Sequence, residues 1–329
     1  LDLKLFQIYL GPKNYLCIIQ KLLKDKKDKT RITKLYRDGM FGHDSCVIKK
    51  ILQLSMKKTV AIIGNGFVGE SQAFAFSPTA DVRVYDIDPL KATHTLEEAL
   101  EQEFIFVSLP TPMKLDGSQD ISYIEKFFES ITPKKDTIFI IKSTVLPGTT
   151  KGLVQRYGYN VVFSPEFLTE RTAKLDMLTQ ARIILGGDPQ LTKRVEELFT
   201  DRFKNRHIIH TDSTTAEYIK YMNNTFFATK VAVMNEFYRL ALEIGVNWDD
   251  ALYGFASDGR IGDSHLHVPG PDGKMGYGGT CFPKDVNALI TFAKEVGVNM
   301  NTIEGGWKTN LEVRPERDWE KMKGRAVSE

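Results

Sequence analysis

The chemistry open to this chain is concentrated in Gly276 to Asp285, GYGGTCFPKD, where one cysteine follows a glycine-rich turn and precedes a helix that Pro283 can open. Proline suits the first helical positions, and the amphipathic run from Val286 to Val296, carrying Leu289, Ile290 and Ala293, continues until Gly297 stops it. Cys281 therefore falls at a helix N-terminus. Unpaired N–H groups, the positive end of the helix dipole and the Lys284 cation favour a thiolate there, so the thiol pKa is expected below its usual ~8.5. The alternative is a buried, inert cysteine. Three glycines and the Pro-Lys-Asp around Cys281 favour the nucleophile.

A second constellation is GNGFVG, comprising Gly64, Asn65, Gly66, Phe67, Val68 and Gly69. It follows an expected strand at Thr59 to Ile63 and opens a helix carrying Ala73, Phe74 and Phe76, the context in which such glycines let a pyrophosphate approach a helix N-terminus. Asp86, 22 residues after Gly64 and at the end of the next strand, has the reach for ribose hydroxyls. Its charge would repel a 2′-phosphate, which favours NAD over NADP. A tight turn beside a solvated aspartate is the alternative, and no second flavin motif is visible.

Lys220 and Asn224 are four apart on a helical pattern, hence on one face, where an ammonium and an amide donor can together hold an oxyanion. A plain surface lysine is the other reading. Glu166 and Thr144 fall just after expected strand ends, where open α/β sheets place ligands, although Thr144 also suits a turn cap. His265 and His267 form an HxH pair without a third ligand at sensible spacing, so no metal is expected. Trp307, Tyr218, Tyr221, Phe226 and Phe237 read as core or interface packing.

The elements that must position these residues alternate from Thr59 onward. Short β-branched runs at Thr59 to Ile63, Val82 to Asp86, Phe104 to Leu109, Thr137 to Ile141, Asn160 to Phe163, Arg182 to Leu185 and His207 to Ile209 are separated by helical segments. This predicts an α/β doubly wound parallel sheet. Asp212-Ser213-Thr214 with Glu217 reads as a capping box, opening a helix that runs to Glu243 and stops at Gly245. The expected domains are a basic extension over 1–55, a nucleotide-binding domain over 56–210, a helical domain over 211–310 and a charged tail over 311–329. The extension holds 12 Lys and Arg against 5 Asp and Glu, yet lacks any nucleic-acid motif and reads as a solvated segment. Met56, just before the first convincing strand, is the expected natural start. No run of about 18 apolar residues exists to span a membrane. Three cysteines, Cys17, Cys46 and Cys281, without metal-ligand spacing fit a reducing cytoplasm.

With both glycine motifs in place the chain resembles the UDP-glucose 6-dehydrogenase family, which includes GDP-mannose and UDP-N-acetylmannosamine dehydrogenases. The match also includes SLPTP (Ser108 to Pro112), KSTVLPGT (Lys142 to Thr149), SPEFLTE (Ser164 to Glu170), Glu217 to Glu236 and GRIG (Gly259 to Gly262). It covers about residues 56 to 310. The resemblance implies a Rossmann-like doubly wound sheet, a long central helix and a small helical dimerisation domain. It also implies a four-electron oxidation of a sugar-nucleotide primary alcohol to a carboxylate with two NAD, most simply UDP-glucose to UDP-glucuronate. Cys281 would carry a thiohemiacetal and then a thioester, Lys220 and Asn224 would hold the oxyanion, and Asp285, Glu166 and Thr144 would serve water or proton transfer. Cofactor contacts are implied at Lys91, Ser108, Thr111, Pro112, Ser143, Thr144, Glu170 and Lys284, besides the glycine loop and Asp86. Substrate contacts are implied at Phe167, Leu168, Glu170, Tyr277 and Gly278, besides Glu166, Lys220 and Asn224. Arg260 resembles an arginine that reaches across a dimer, and reads equally as a surface salt-bridge residue.

The chain departs from the family pattern in three places. The stretch from Asp86 to Phe104 is short by one crossover helix, Arg171 stands where a glycine commonly follows the substrate-loop glutamate, and nothing after Asn310 resembles the family's second α/β domain. Two other functions stay open: an inactive NAD-binding remnant with a scaffold role, and a β-hydroxyacid dehydrogenase-like enzyme using Lys220 without a cysteine. The apolar face of the long helix predicts a homodimer built around Thr214 to Glu243.

Overall fold

Seven short β-branched and aromatic runs form the expected strands: β1 Lys58–Ile63, β2 Ala80–Tyr85, β3 Phe104–Val107, β4 Ile138–Ile141, β5 Asn160–Phe163, β6 Arg182–Gly186 and β7 His207–Thr211. This computed structural model describes residues 58–329; the expectations for 1–55 and Met56 lie outside the described residues. Residues 60–78 and 82–329 form one compact unit, which holds every site residue below. Strand order is β2-β1-β3-β4-β5-β6-β7. The pairs β1–β3, β3–β4 and β4–β5 are parallel. The sheet is mostly parallel, as expected; the exception is β6, which pairs antiparallel with β5 at Phe163↔Gly186 and parallel with β7.

Both faces of the sheet are covered, as buried parallel strands require. On one face Ile63, Ile105, Val107, Phe139, Ile141 and Phe163 form a core under α3 Ser122–Ser130 and α4 Thr149–Tyr157. On the other, Phe106 meets Phe76 of α1 Phe67–Phe76 at 5.2 Å between ring centroids and Phe199 of α6 Pro189–Arg202 at 6.0 Å. The shortened crossover holds one five-residue helix, α2 Leu96–Leu100, which Thr95 and Glu98 close with a reciprocal capping box. Between β5 and β6 lies α5 Ala173–Thr179.

The second layer is built on α7 Ser213–Glu243, 31 residues long. The capping box expected for it is not formed. Asp212 alone caps α7, accepting from the Thr215 N–H at 3.0 Å. Glu217 instead accepts the N–H groups of Gly148 and Thr150 at 2.6 and 2.7 Å, capping α4 from outside. Helices α8 Trp248–Ala256, α9 Phe282–Glu295 and α10 Asn301–Val313 complete the layer, with Ala228, Tyr277, Val286 and Ile290 buried against Trp307. Among the described residues no helix is long and apolar enough to cross a membrane.

Candidate active site

Because β1, β3, β4 and β5 are parallel, the loops leaving their C-terminal ends share one edge of the sheet. These loops hold Gly64, Ser108, Lys142 and Ser164, and they continue the ladder: the Ser108 N–H donates to Ile63 O at 2.8 Å and the Ser164 N–H to Ile141 O at 3.0 Å. The Ser143 hydroxyl reaches Leu109 O at 2.7 Å, and both the Thr111 hydroxyl and the Gln119 amide donate to Thr144 O at 2.8 Å. Pro112 O accepts from Asp120 N–H.

The glycine loop has the shape a dinucleotide needs. Gly64 has φ +88°, and a Cβ there would press on Ser108 O, while one on Gly69 would overlap Gly64 O. Gly66 faces open space at the N-cap of α1, which begins with Phe67 and Val68, whose first-turn N–H groups have no partner inside the helix. Asp86 accepts the Asn65 N–H at 2.6 Å and the Asp88 N–H at 2.9 Å, leaving lone pairs on both oxygens for hydroxyl donors. Asn65 Oδ1 and Ser108 Oγ are buried without a partner among the described residues. Open space at Gly66 beside two unmatched polar atoms fits a bound NAD. Lys91 enters through its carbonyl, which accepts from Asn65 Nδ2 at 2.8 Å, while its ammonium lies 3.7 Å from Asp88.

The residues expected to do chemistry meet between this edge and α7. Lys220 Nζ donates to Glu166 O at 2.5 Å and to Glu166 Oε1 at 3.0 Å, and both side chains are buried. The other Glu166 oxygen takes the Leu168 N–H at 2.7 Å, and the Phe167 ring lies 5.4 Å from Lys220 Nζ. One turn along α7, Asn224 Nδ2 donates to Asp285 Oδ2 and Lys284 Nζ to Asp285 Oδ1, each at 2.6 Å. Cys281 is the N-cap of α9, and the charges of Lys284, Glu166, Asp285 and Lys220 all act on its thiol. Burial nevertheless pushes the thiol pKa up; the nearby Lys284 cation only partly offsets this, correcting the lowered value expected from helix position alone.

Several expected residues stand apart from this cluster. Arg260 is exposed and forks onto Asp258, with Nη2 at 2.5 Å from Oδ2, so within one chain it makes a surface pair. Glu170 is exposed and ion-paired with Arg325 at 2.6 Å. Tyr277 is turned into the helical core, its ring T-shaped on Phe282 at 5.9 Å, and Gly278 lies in the turn before Cys281. Arg171 reaches Pro271 O at 2.9 Å. His265 stacks on Phe227 at 4.3 Å, and among the described residues no group of three or more His, Cys, Asp and Glu is arranged to hold a metal.

Lys142 is the site residue that spacing failed to single out. Burial lowers its pKa to about 7, partly opposed by Glu166 and reinforced by Lys220. Its ammonium donates to Ser164 Oγ at 3.2 Å and Pro165 O at 3.0 Å, so two lysines grip consecutive carbonyls of one loop. The signal was its position directly after a buried strand, where a lysine has no water to reach.

Known proteins align with this arrangement. The UDP-glucose/GDP-mannose dehydrogenase family, central domain, matches residues 214–312, and the NAD binding domain of the same family matches residues 88–203, beginning just past Asp86. UDP-glucose 6-dehydrogenase of Rickettsia conorii is 34% identical over 233 residues, 68% of this chain and 52% of that protein. UDP-glucose 6-dehydrogenase AglM of Haloferax volcanii is 30% identical over 308 residues, 78% of this chain and 70% of that one. A UDP-glucose dehydrogenase structure from Pyrobaculum islandicum superposes with a TM-score of 0.71 at 26% identity, covering 80% of this chain and 70% of its own. The chain spans about half the length of the Rickettsia relative. The NAD binding domain, the cradle at Gly66 and the Cys281 cluster lead to one assignment: this chain belongs to the UDP-glucose/GDP-mannose dehydrogenase family.

Proposed function

We propose that the chain catalyses the NAD-dependent, four-electron oxidation of a nucleotide sugar, UDP-glucose to UDP-glucuronate being the leading case, through covalent capture on Cys281. The observation that carries this is the buried cluster in which the charges of Lys220, Glu166, Asp285 and Lys284 act on one thiol, in a chain that also carries a dinucleotide cradle. NAD, when bound, takes a hydride from the sugar carbon at each of two oxidations. Cys281 Sγ, having lost its proton, forms a bond to the aldehyde carbon; the oxyanion so created faces the Lys220 ammonium and Asn224 amide. Departure of the second hydride leaves a thioester, and water then adds to the acyl carbon, breaking the C–S bond and returning sulfur as thiolate. Glu166 and Asp285, within the cluster, are the groups proposed to hold that water and take its proton, with Thr144 added on the family resemblance. Each sugar consumes one water and two NAD, releasing two NADH and three protons. A free thiol is required throughout, which suits the reducing cytoplasm.

The chain is proposed to work as a homodimer joined along α7, with Arg260 in reach of the neighbouring copy's site. The decisive experiment is NADH release from a panel of UDP- and GDP-sugars. Two NADH per sugar, abolished by Cys281→Ser, is expected. Full overall rate in Cys281→Ser would favour β-hydroxyacid dehydrogenase chemistry, and NAD binding without turnover would favour a remnant or scaffold.

A further inference from the structure

The turn that delivers Cys281 is held by residues beyond position 312, where the family's central-domain match ends. Arg314 is buried, and its guanidinium donates to Asp318 Oδ1 at 2.6 Å, to Asp272 Oδ2 at 2.7 Å and to Met275 O at 3.3 Å. The second oxygen of Asp318 accepts the Gly279 N–H at 2.9 Å, two residues before the cysteine. Gly278 is where it is because the pair lies against it: a Cβ there would collide with both the Asp318 carboxylate and the Arg314 guanidinium. Upstream, Asn310 accepts the Tyr277 N–H at 2.7 Å and donates to Tyr277 O at 3.0 Å, holding the two peptides on either side of Tyr277.

These bonds have one mechanical result. The turn has glycines at φ +67° and +73° (Gly276 and Gly279), a backbone with little stiffness of its own. Its N–H groups are instead claimed by side chains: Asn235 of α7 accepts from Gly276 at 3.0 Å, Asn310 of α10 from Tyr277, and Asp318 from Gly279. Asp318 lies in the 3₁₀ turn Asp318–Lys321, anchored by Trp319, which is buried against Trp307 at 5.4 Å. We propose that Arg314 and Asp318 are positioning residues for the Cys281 thiol: their ion pair supplies the carboxylate oxygen that fixes the Gly279 N–H, and with it the N-cap geometry that presents sulfur to the Lys220–Asn224 face. This rests on Cys281 being the nucleophile, and it adds two residues that never touch the substrate.

The test reads Cys281 directly, by iodoacetamide alkylation from pH 6 to 10 with peptide mass mapping to separate it from Cys17 and Cys46, alongside kcat and KM for NAD. Asp318→Ala is expected to raise the limiting alkylation rate about fivefold, the scale of one lost hydrogen bond, by uncovering the thiol. In the same variant kcat should fall with KM for NAD unchanged. Asp318→Asn keeps an acceptor oxygen for Gly279 and should stay near the parent. An unchanged alkylation profile in Asp318→Ala overturns the proposal, as does equal damage in both variants. The unaltered chain gives a further check that survives misfolding of either variant: the Gly279 amide should exchange its hydrogen about a hundredfold slower than an open peptide, and free exchange overturns the clamp. Turnover surviving in Cys281→Ser would sink the thioester reading while leaving these measurements of the turn intact.

Discussion

Lys142 shows what burial does to a single charge. In the unfolded chain its amine titrates near ~10.4, whereas the folded protein holds it near about 7, chiefly because water is excluded. Between those values the unfolded state binds more protons, so stability rises with pH from about 7 towards about 10 and the cost of the buried cation is felt in full below that window. Urea midpoints measured across this range should climb in the parent and climb less in Lys142→Met. Cys281 teaches the complementary lesson. Its helix position and cationic neighbour were legible in GYGGTCFPKD, but desolvation depends on what packs above the sulfur, and no spacing of letters records that. Lys220 and Asn224 were legible because helical periodicity fixes a shared face; their partners Glu166 and Asp285 lie 54 and 61 residues away and only folding introduces them.

At the scale of elements, Glu217 ties α7 to α4. Both its oxygens accept backbone N–H groups at the α4 N-terminus, and Glu217→Ala would bury those donors unmatched. A loss of about 2 kcal/mol or more is expected, seen as a lower urea midpoint with an unchanged slope. Glu217 was misread as a local cap because the Ser/Thr-x-x-Glu pattern states what the backbone permits, while the partner across the groove is a tertiary fact. The strands show the same boundary. All seven were legible from β-branched runs, yet β6, and β7 paired parallel to it, run against β5, since a short apolar run such as Ile183 to Gly186 carries no mark of its direction.

For the whole molecule, the outer face of α7 is the feature that calls for a partner. Tyr218, Met222, Phe226, Val233, Phe237 and Leu240 recur at helical spacing and are each two-fifths exposed or more, a continuous apolar stripe of the kind a subunit interface covers. Replacing Phe226 and Phe237 together with glutamate is expected to yield monomers by light scattering at micromolar concentration, where the parent is expected to run as a dimer. A parent that is itself monomeric would contradict the proposed assembly.

The same 31-residue helix carries Lys220 and Asn224 on its inner side, so it is a rod of about 46 Å shared between two tasks. In the proposed dimer, a tilt of a few degrees imposed by one subunit would displace the ammonium and the amide of the other without passing through any loop. Under the proposed assembly, pairing of copies and alignment of Lys220 and Asn224 would be properties of one lever.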